Sequence, residues 1–245
     1  MGKTILTNVR AFAVAVDLTG HSNKVELSTE VEDKDATNYA SEGWKEVMGG
    51  LASAEISGEG QWEAGDPSKV DDASWSQLGG VGPWSISANN SAAVGGLAYF
   101  TSAMRSNYAL GAAVGEIAPW TGTAKSSWPL VRGQFAHPPG TARTATGTGT
   151  ALQIGAVPAG KRLYAALHVL SVAGTTPSLT ARVESSVDNT FASPTTRLTF
   201  AAAVAAGGQA LRTDGTAITD TWWRIAWTIS GTTPSFMFAA SLGVQ

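Results

Sequence analysis

Three histidines, His21, His137 and His168, and an acidic run, Glu30, Glu32, Asp33 and Asp35, are the side chains of this 245-residue chain best suited to bind a metal or move a proton. Their spacing argues against both roles. No two histidines stand at the i, i+4 interval of a helical metal site, and they fall in a turn, a connecting segment and a strand. The acidic run contains Lys34 and lacks the glycine that bends a calcium loop, so it reads as a solvated charged surface. Asp66, Asp71 and Asp72 read the same way. The glycines lie in TG, GG and PG turns, and no nucleophile elbow, phosphate loop or dinucleotide fingerprint is present. Nothing pairs a general base with a partner, so the expectation is no catalytic residue, no metal and no cofactor.

Nine tryptophans raise a second chemistry, the stacking of sugar rings on exposed aromatic faces. Trp222, Trp223 and Trp227 are its best candidates. In a strand, Trp223, Ile225 and Trp227 share one face and Trp222, Arg224 and Ala226 the other, which assigns at least one tryptophan pair to packing.

Strands must position these residues. Val14 and Val16 alternate before the turn Asp17–Gly20, and Val25, Leu27, Thr29 and Val31 alternate after it. Between Glu30 and Gly50 the alternation stops, and a long polar excursion on a β scaffold is where function concentrates. Further strands are expected near 11–17, 23–31, 51–63, 81–88, 112–123 and 128–136. In GGLAYFTSAMRSNYAL, Leu97, Phe100 and Met104 stand at helical spacing, which leaves a short helix or a strand open there.

The ordered series of DLTG, a strand, an acidic loop, GWKEVMGGL and ASAEISGEGQW, Asp17 to Trp62, resembles the major tail tube proteins of long-tailed (siphovirus-like) bacteriophages. Residues 114–133, VGEIAPWTGTAKSSWPLVRG, are similar to the closing strands of that family's tube domain. The resemblance implies a structural virion protein whose rings stack into a hollow tail tube for DNA passage. It implies hexameric rings, or trimers with pseudo-six-fold symmetry, with tape measure and tail terminator proteins as partners and a lumen that DNA crosses without specific binding. It also implies that the excursion contacts the adjacent ring, through Glu32, Asp33, Lys34, Asp35, Glu42, Trp44, Lys45 and Glu46. Trp44 would anchor and the charges would pair between rings. The alternative is a surface carbohydrate-binding β-sandwich protein.

Residues 136–150, AHPPGTARTATGTGT, carry no aliphatic side chain larger than Ala. That composition suits a linker at 139–147 between a tail tube domain, 1–138, and a second β-sandwich module, 148–245, either an outer decoration or a second tube-like domain. The second module repeats a motif: residues 172–178, VAGTTPS, and 229–235, ISGTTPS, which read as the same reversal between adjacent strands. An all-β fold follows for the whole chain.

With no cysteine, disulfides and thiolate metal sites are excluded. The opening MGKTILTNVR lacks the apolar stretch of a secretory signal, and no apolar run reaches the roughly 18 residues needed to span a bilayer. A protein made in a cytoplasm and independent of membranes is therefore expected, and the resemblance implies residence in the virion tail after synthesis in the host cytoplasm. Residues 1–80 hold 14 Asp/Glu against 6 Lys/Arg, whereas residues 141–245 hold 4 against 7. Opposite-sign regions of this kind either attract neighbouring copies or are two solvated surfaces of different composition, and the acidic first part disfavours phosphate binding.

Overall fold

The structure is a computed structural model that describes residues 9–66, 69–88 and 92–245. Residues 1–8, most of the segment read for a secretory signal, lie outside the described residues. The alternation in the sequence becomes an all-β fold with a single described helix.

In the first half, β1 (Arg10–Ala13) and β2 (Val16–Asp17) form a minimal pair. β3 (Ser22–Asp35) and β4 (Val47–Gln61) form a long hairpin, followed by α1 (Val70–Ser76) and β5 (Val81–Ser87). β6 (Leu97–Leu110), β7 (Pro119–Ser126) and β8 (Val131–His137) complete it. β6 organises this half. Its Tyr99–Met104 stretch takes β5 on one edge, while β8 and then β7 occupy the opposite edge in succession.

The helical spacing of Leu97, Phe100 and Met104 is therefore coincidental. Residues 97–103 are almost all shielded because both faces of β6 are covered, and a strand buried on two faces loses its period-two signature. The helix sits instead at Val70–Ser76, with Asp71 and Asp72 in its first turn, where carboxylates favour the positive end of the backbone dipole.

In the second half, β9 (Gly147–Thr148) and β10 (Leu152–Gln153) are short additions to a two-strand ribbon. The ribbon consists of β11 (Leu163–Ser186) and β14 (Trp222–Val244), with β12 (Thr195–Thr199) and β13 (Gly207–Arg212) on the other edge of β11. Its two strands pair from Leu163↔Val244 to Ser186↔Trp222. The ribbon is not straight. Leu163, Leu167 and Phe238 from one end share a single buried core with Val183, Trp223 and Trp227 from the other, so it folds over onto itself.

The fold-over occurs at the repeated motif. The two GTTPS segments are not separate hairpin reversals. They face each other across the ladder as paired corners, Ala173 opposite Ser235 and Ser178 opposite Ser230. Gly174 and Gly231 have φ of 112° and 119°, and Thr176 and Thr233 share a φ of 48°. Each glycine lies against the backbone of the opposite corner: a Cβ at Gly174 would approach the Thr233 carbonyl oxygen to 2.7 Å, and one at Gly231 the Thr176 oxygen to 2.8 Å. Thus the same sequence performs the same bend in both strands.

Residues 139–147, expected as a linker, are laid along the ribbon. Arg143 and Phe236 exchange backbone hydrogen bonds of 2.7 and 2.9 Å, and the Trp227 indole N–H donates to the Ala145 carbonyl at 3.0 Å. Small side chains suit close backbone addition to a strand as well as they suit a tether. β8 also pairs with β14, so one sheet runs from β12 through β11, β14, β8, β6 and β5 to β1 and β2.

A separate apolar cluster joins the halves, with Phe12, Phe100 and Phe135 against Tyr164 and Ala166. At its edge His168 of β11 donates from Nδ1 to the Val14 carbonyl at 2.9 Å and accepts from the Ser85 hydroxyl at 2.8 Å. Val14 holds a φ of 53°, unfavourable for a β-branched residue. Its N–H donates to the Pro83 carbonyl, so contacts on both sides hold the strained turn.

Candidate assembly interface

The β3–β4 hairpin changes character along its length. Near the body it has an inner face: Ile56 and Ala54 are buried, and β7 pairs with β4 from Glu55 to Gln61. Beyond Ala54 the ladder with β3 continues alone, through Val31↔Ala52 and Lys34↔Met48 to Asp35↔Val47. The excursion from Glu30 to Gly50 is thus about half strand, with residues 36–46 as its connecting tip. Periodicity fades there because the residues meet no core, so no face needs to be apolar.

The tip is built by local hydrogen bonds. Ala36 N–H donates to the Glu46 carbonyl at 2.9 Å, and the Asp35 carboxylate accepts from Thr37 N–H at 2.9 Å. Hydrogen bonding by the Thr37 hydroxyl and backbone lowers the Asp35 pKa. Asn38 Oδ1 accepts from Ala40 N–H, Asn38 N–H donates to the Ser41 hydroxyl, and Trp44 N–H donates to the Ser41 carbonyl. Glu46 N–H donates to Thr37 Oγ1 at 3.0 Å. Glu42 and Gly43, with φ of 49° and 85°, turn the chain back. These bonds bury Ser41 and hold a defined shape, while Tyr39 stands fully exposed and Trp44 is 81% exposed.

All eight residues singled out in the sequence gather on this distal half. Glu32, Asp33 and Lys34 project from β3, Asp35 ends it, and Glu42, Trp44, Lys45 and Glu46 occupy the tip. They differ in what they do. Lys34 pairs with Glu32 on the same strand, and Asp35 caps the turn, whereas Glu42, Lys45 and Glu46 are exposed. Sequence reasoning missed the apolar part of this surface: Val31, Val47, Met48 and Leu51 are all exposed, Leu51 at 82%. The V-M-G-G-L run was the available signal, since an apolar pair flanking glycines at a hairpin end has no core to enter.

The chemical candidates resolve into packing. His137 stacks on Phe238 with ring centroids 4.0 Å apart, donates from Nδ1 to the Phe238 carbonyl and accepts from Arg143 Nε at 3.2 Å. Burial pushes both His137 and His168 down to about 4. Trp223 and Trp227 are buried and offer no platform to a sugar, whereas Trp222, on the other face of the strand, is half-buried. Glu184 is held between Arg182 and Arg224, each at 2.7 Å, and Asp220 between Arg197 and the Ser185 hydroxyl. Among the described residues no three His, Cys, Asp or Glu side chains gather as a metal site, and no helix is long and apolar enough to cross a membrane.

No protein-family model matches the chain, and no curated protein matches it. Among solved structures it is similar to a chain of the virion of a native gene transfer agent particle, at 20% identity and a TM-score of 0.38, covering 46% of this chain and 84% of that one. A chain from the tail of an empty particle of that kind, refined helically with C6 symmetry, matches at 21% identity and a TM-score of 0.38, with 47% and 85% covered. The crystal structure of the SPP1 Dit protein, described as a paradigm of the hub adsorption apparatus in phages infecting Gram-positive bacteria, matches at 11% identity and a TM-score of 0.33 over 97% of this chain and 99% of that one.

Proposed function

We propose that this chain is a structural protein of a phage tail that assembles with copies of itself into rings, and that the rings stack into a tube through which DNA passes. The β3–β4 hairpin is the arm that reaches the adjacent ring. The observation that carries this reading is the hairpin itself: strands of 14 and 15 residues whose distal half leaves the core, with exposed apolar side chains and a tip fixed by its own hydrogen bonds. A long flat edge of that kind is an aggregation hazard in an isolated monomer and is normally paired or covered. Among the described residues β3 pairs with β4 along one edge only, which leaves its other edge able to accept a neighbour. The sequence resemblance to tail tube proteins lies on the same residues, Asp17 to Trp62.

Hexameric rings, or trimers if the second module takes a tube-like place, are the closed arrangements for such a contact. Tape measure and tail terminator proteins are the partners this reading entails. The acidic first half suits a lumen that does not retain DNA, since each fixed cation near a phosphate would add attraction.

The test is electron microscopy of the purified protein beside a variant in which residues 36–46 are replaced by Asn-Gly, a two-residue turn joining Asp35 to Val47. Wild type should form rings or tubes with a central channel. The shortened variant should keep its circular dichroism spectrum and lose stacking. Tubes of normal length from that variant would refute the arm, and a wild-type monomer retained on polysaccharide would favour the carbohydrate-binding alternative.

A further inference from the structure

The second module carries a surface complementary to the hairpin tip. A cleft of about 470 Å³ opens where β12 passes the end of β13, lined by Thr196, Arg197 and Leu198 on one side and Arg212, Asp214 and Thr216 on the other. Its two guanidinium groups are held differently. Arg197 is fixed from behind, with Nε donating to the Ser185 hydroxyl at 2.7 Å and Nη2 to Asp220 at 2.9 Å. Arg212 lies over the Trp128 ring at 5.2 Å and takes part in none of the ion pairs among the described residues. Asp214, the one carboxylate of the lining, is engaged by Thr216 N–H at 2.9 Å. Arg162 adds a third cation beside the cleft, its Nη1 donating to the Thr213 carbonyl at 3.3 Å.

The hairpin's distal half has the opposite chemistry. Residues 30–50 hold six carboxylates, Glu30, Glu32, Asp33, Asp35, Glu42 and Glu46, against Lys34 and Lys45, and the tip adds the exposed Tyr39 and Trp44. An aromatic ring flanked by carboxylates suits an arginine that is free of ion pairs and already stacked on one aromatic face.

We infer that the hairpin tip of one copy seats in the arginine-lined cleft of the second module of a neighbouring copy, with Trp44 or Tyr39 against the Arg212 guanidinium and Glu42 and Glu46 toward Arg212 and Arg197. This rests on the reading of the hairpin as an assembly arm and goes beyond it by naming the surface that receives the arm. The two surfaces differ, so the contact is heterologous and each copy both gives and receives, which propagates assembly or closes it into a ring. It also gives the second module a part in assembly.

The experiment uses the full-length chain and follows self-association by sedimentation velocity over a concentration series at low and raised salt. Three variants accompany wild type: Arg212→Glu, the pair Glu42→Lys with Glu46→Lys, and all three substitutions together. Wild type should assemble, and less so at high salt. Arg212→Glu and the hairpin pair should each raise the concentration needed for assembly at least about tenfold, and the combined variant should recover most of that loss. If Arg212→Glu alters the circular dichroism spectrum, Arg212→Gln serves in its place, with a smaller loss expected. Wild type remaining monomeric at every concentration, Arg212 variants assembling as wild type does, or no recovery in the combined variant would each overturn the inference. Loss of assembly on tip removal together with normal assembly by Arg212→Glu would mean that the arm docks elsewhere, which sinks this inference and leaves the arm standing. Normal assembly without the tip would sink both.

Discussion

Trp227 and Phe238 lie on the same strand, eleven positions apart, yet their ring centroids are 5.5 Å from each other. A straight strand would separate them by about 36 Å. The fold-over of the β11–β14 ribbon brings them together, and His137 completes the group by stacking on Phe238 and meeting Trp227 edge-on at 5.1 Å. The core of the second half is therefore made largely by two strands, each contributing to both of its walls.

The corners are the first place to test this. Gly174→Ala and Gly231→Ala each put a methyl group into the opposite corner's backbone at a φ that disfavours side chains. Each should cost more than about 1 kcal/mol in urea unfolding. Because the corners touch, the double variant should depart from the sum of the singles by at least about 0.5 kcal/mol. Additive losses would mean that the corners bend independently.

Stability should fall as pH falls from about 6.5 toward 4. His137 and His168 are held neutral with values near 4, below the ordinary histidine value of 6.5, chiefly by burial. In that window the unfolded chain binds more protons than the folded one, so stability rises with pH and is complete above 6.5. Each contributes on the order of 3 kcal/mol at most. Thermal melts from pH 4 to 7 should show the slope, and His168→Gln should flatten it. An unchanged slope in that variant would remove His168 as a source.

Arg105 gives a prediction of opposite tone. It is 1% exposed, lies 5.0 Å from the Trp84 ring and 5.5 Å from that of Trp120, and its Nε and Nη1 have no hydrogen-bond partner. Burial lowers its pKa to about 10. The desolvation of an unmatched guanidinium offsets what the two rings provide, so Arg105→Met should stay within about 1 kcal/mol of wild type. Arg105→Ala should cost at least about 2 kcal/mol, because it leaves a cavity between the indoles. Equal losses in the two variants would show that the charge, not the volume, is what the site needs.

Much of the strand pattern could be read from the chain because one-faced strands alternate: Val25 and Leu27 stand on β3, as the alternation implied, whereas the strand expected at 11–17 is broken at Val14, which turns the chain between β1 and β2. Legibility failed where a strand had two covered faces or none. Residues 97–103 of β6 are largely shielded on both, so the spacing of Leu97, Phe100 and Met104 mimicked a helix, and the distal hairpin meets no core, so its strands read as an excursion. The GTTPS repeat announced a change of direction but not its partner, since turn chemistry is local and the opposing corner is 57 residues away. For the candidate site, the charged residues and Trp44 were visible as types, whereas the exposed Val31, Met48 and Leu51 were not, because apolar letters are read as core by default.

The ladder between β8 and β14 carries a consequence for the order in which the molecule matures. His137 bonds to Phe238 across 101 positions of chain, and Phe135 pairs with Ser241. Contacts so distant in sequence form late, since the intervening loop must close first. Until β11 emerges, the aromatic cluster around Phe12 and Phe135 lacks Tyr164, and until β14 arrives that side of β8 stays open. During synthesis, a half-emerged polypeptide would thus present a hairpin already zipped by neighbouring residues on a body not yet sealed, which makes this interval the one in which a chaperone would matter most.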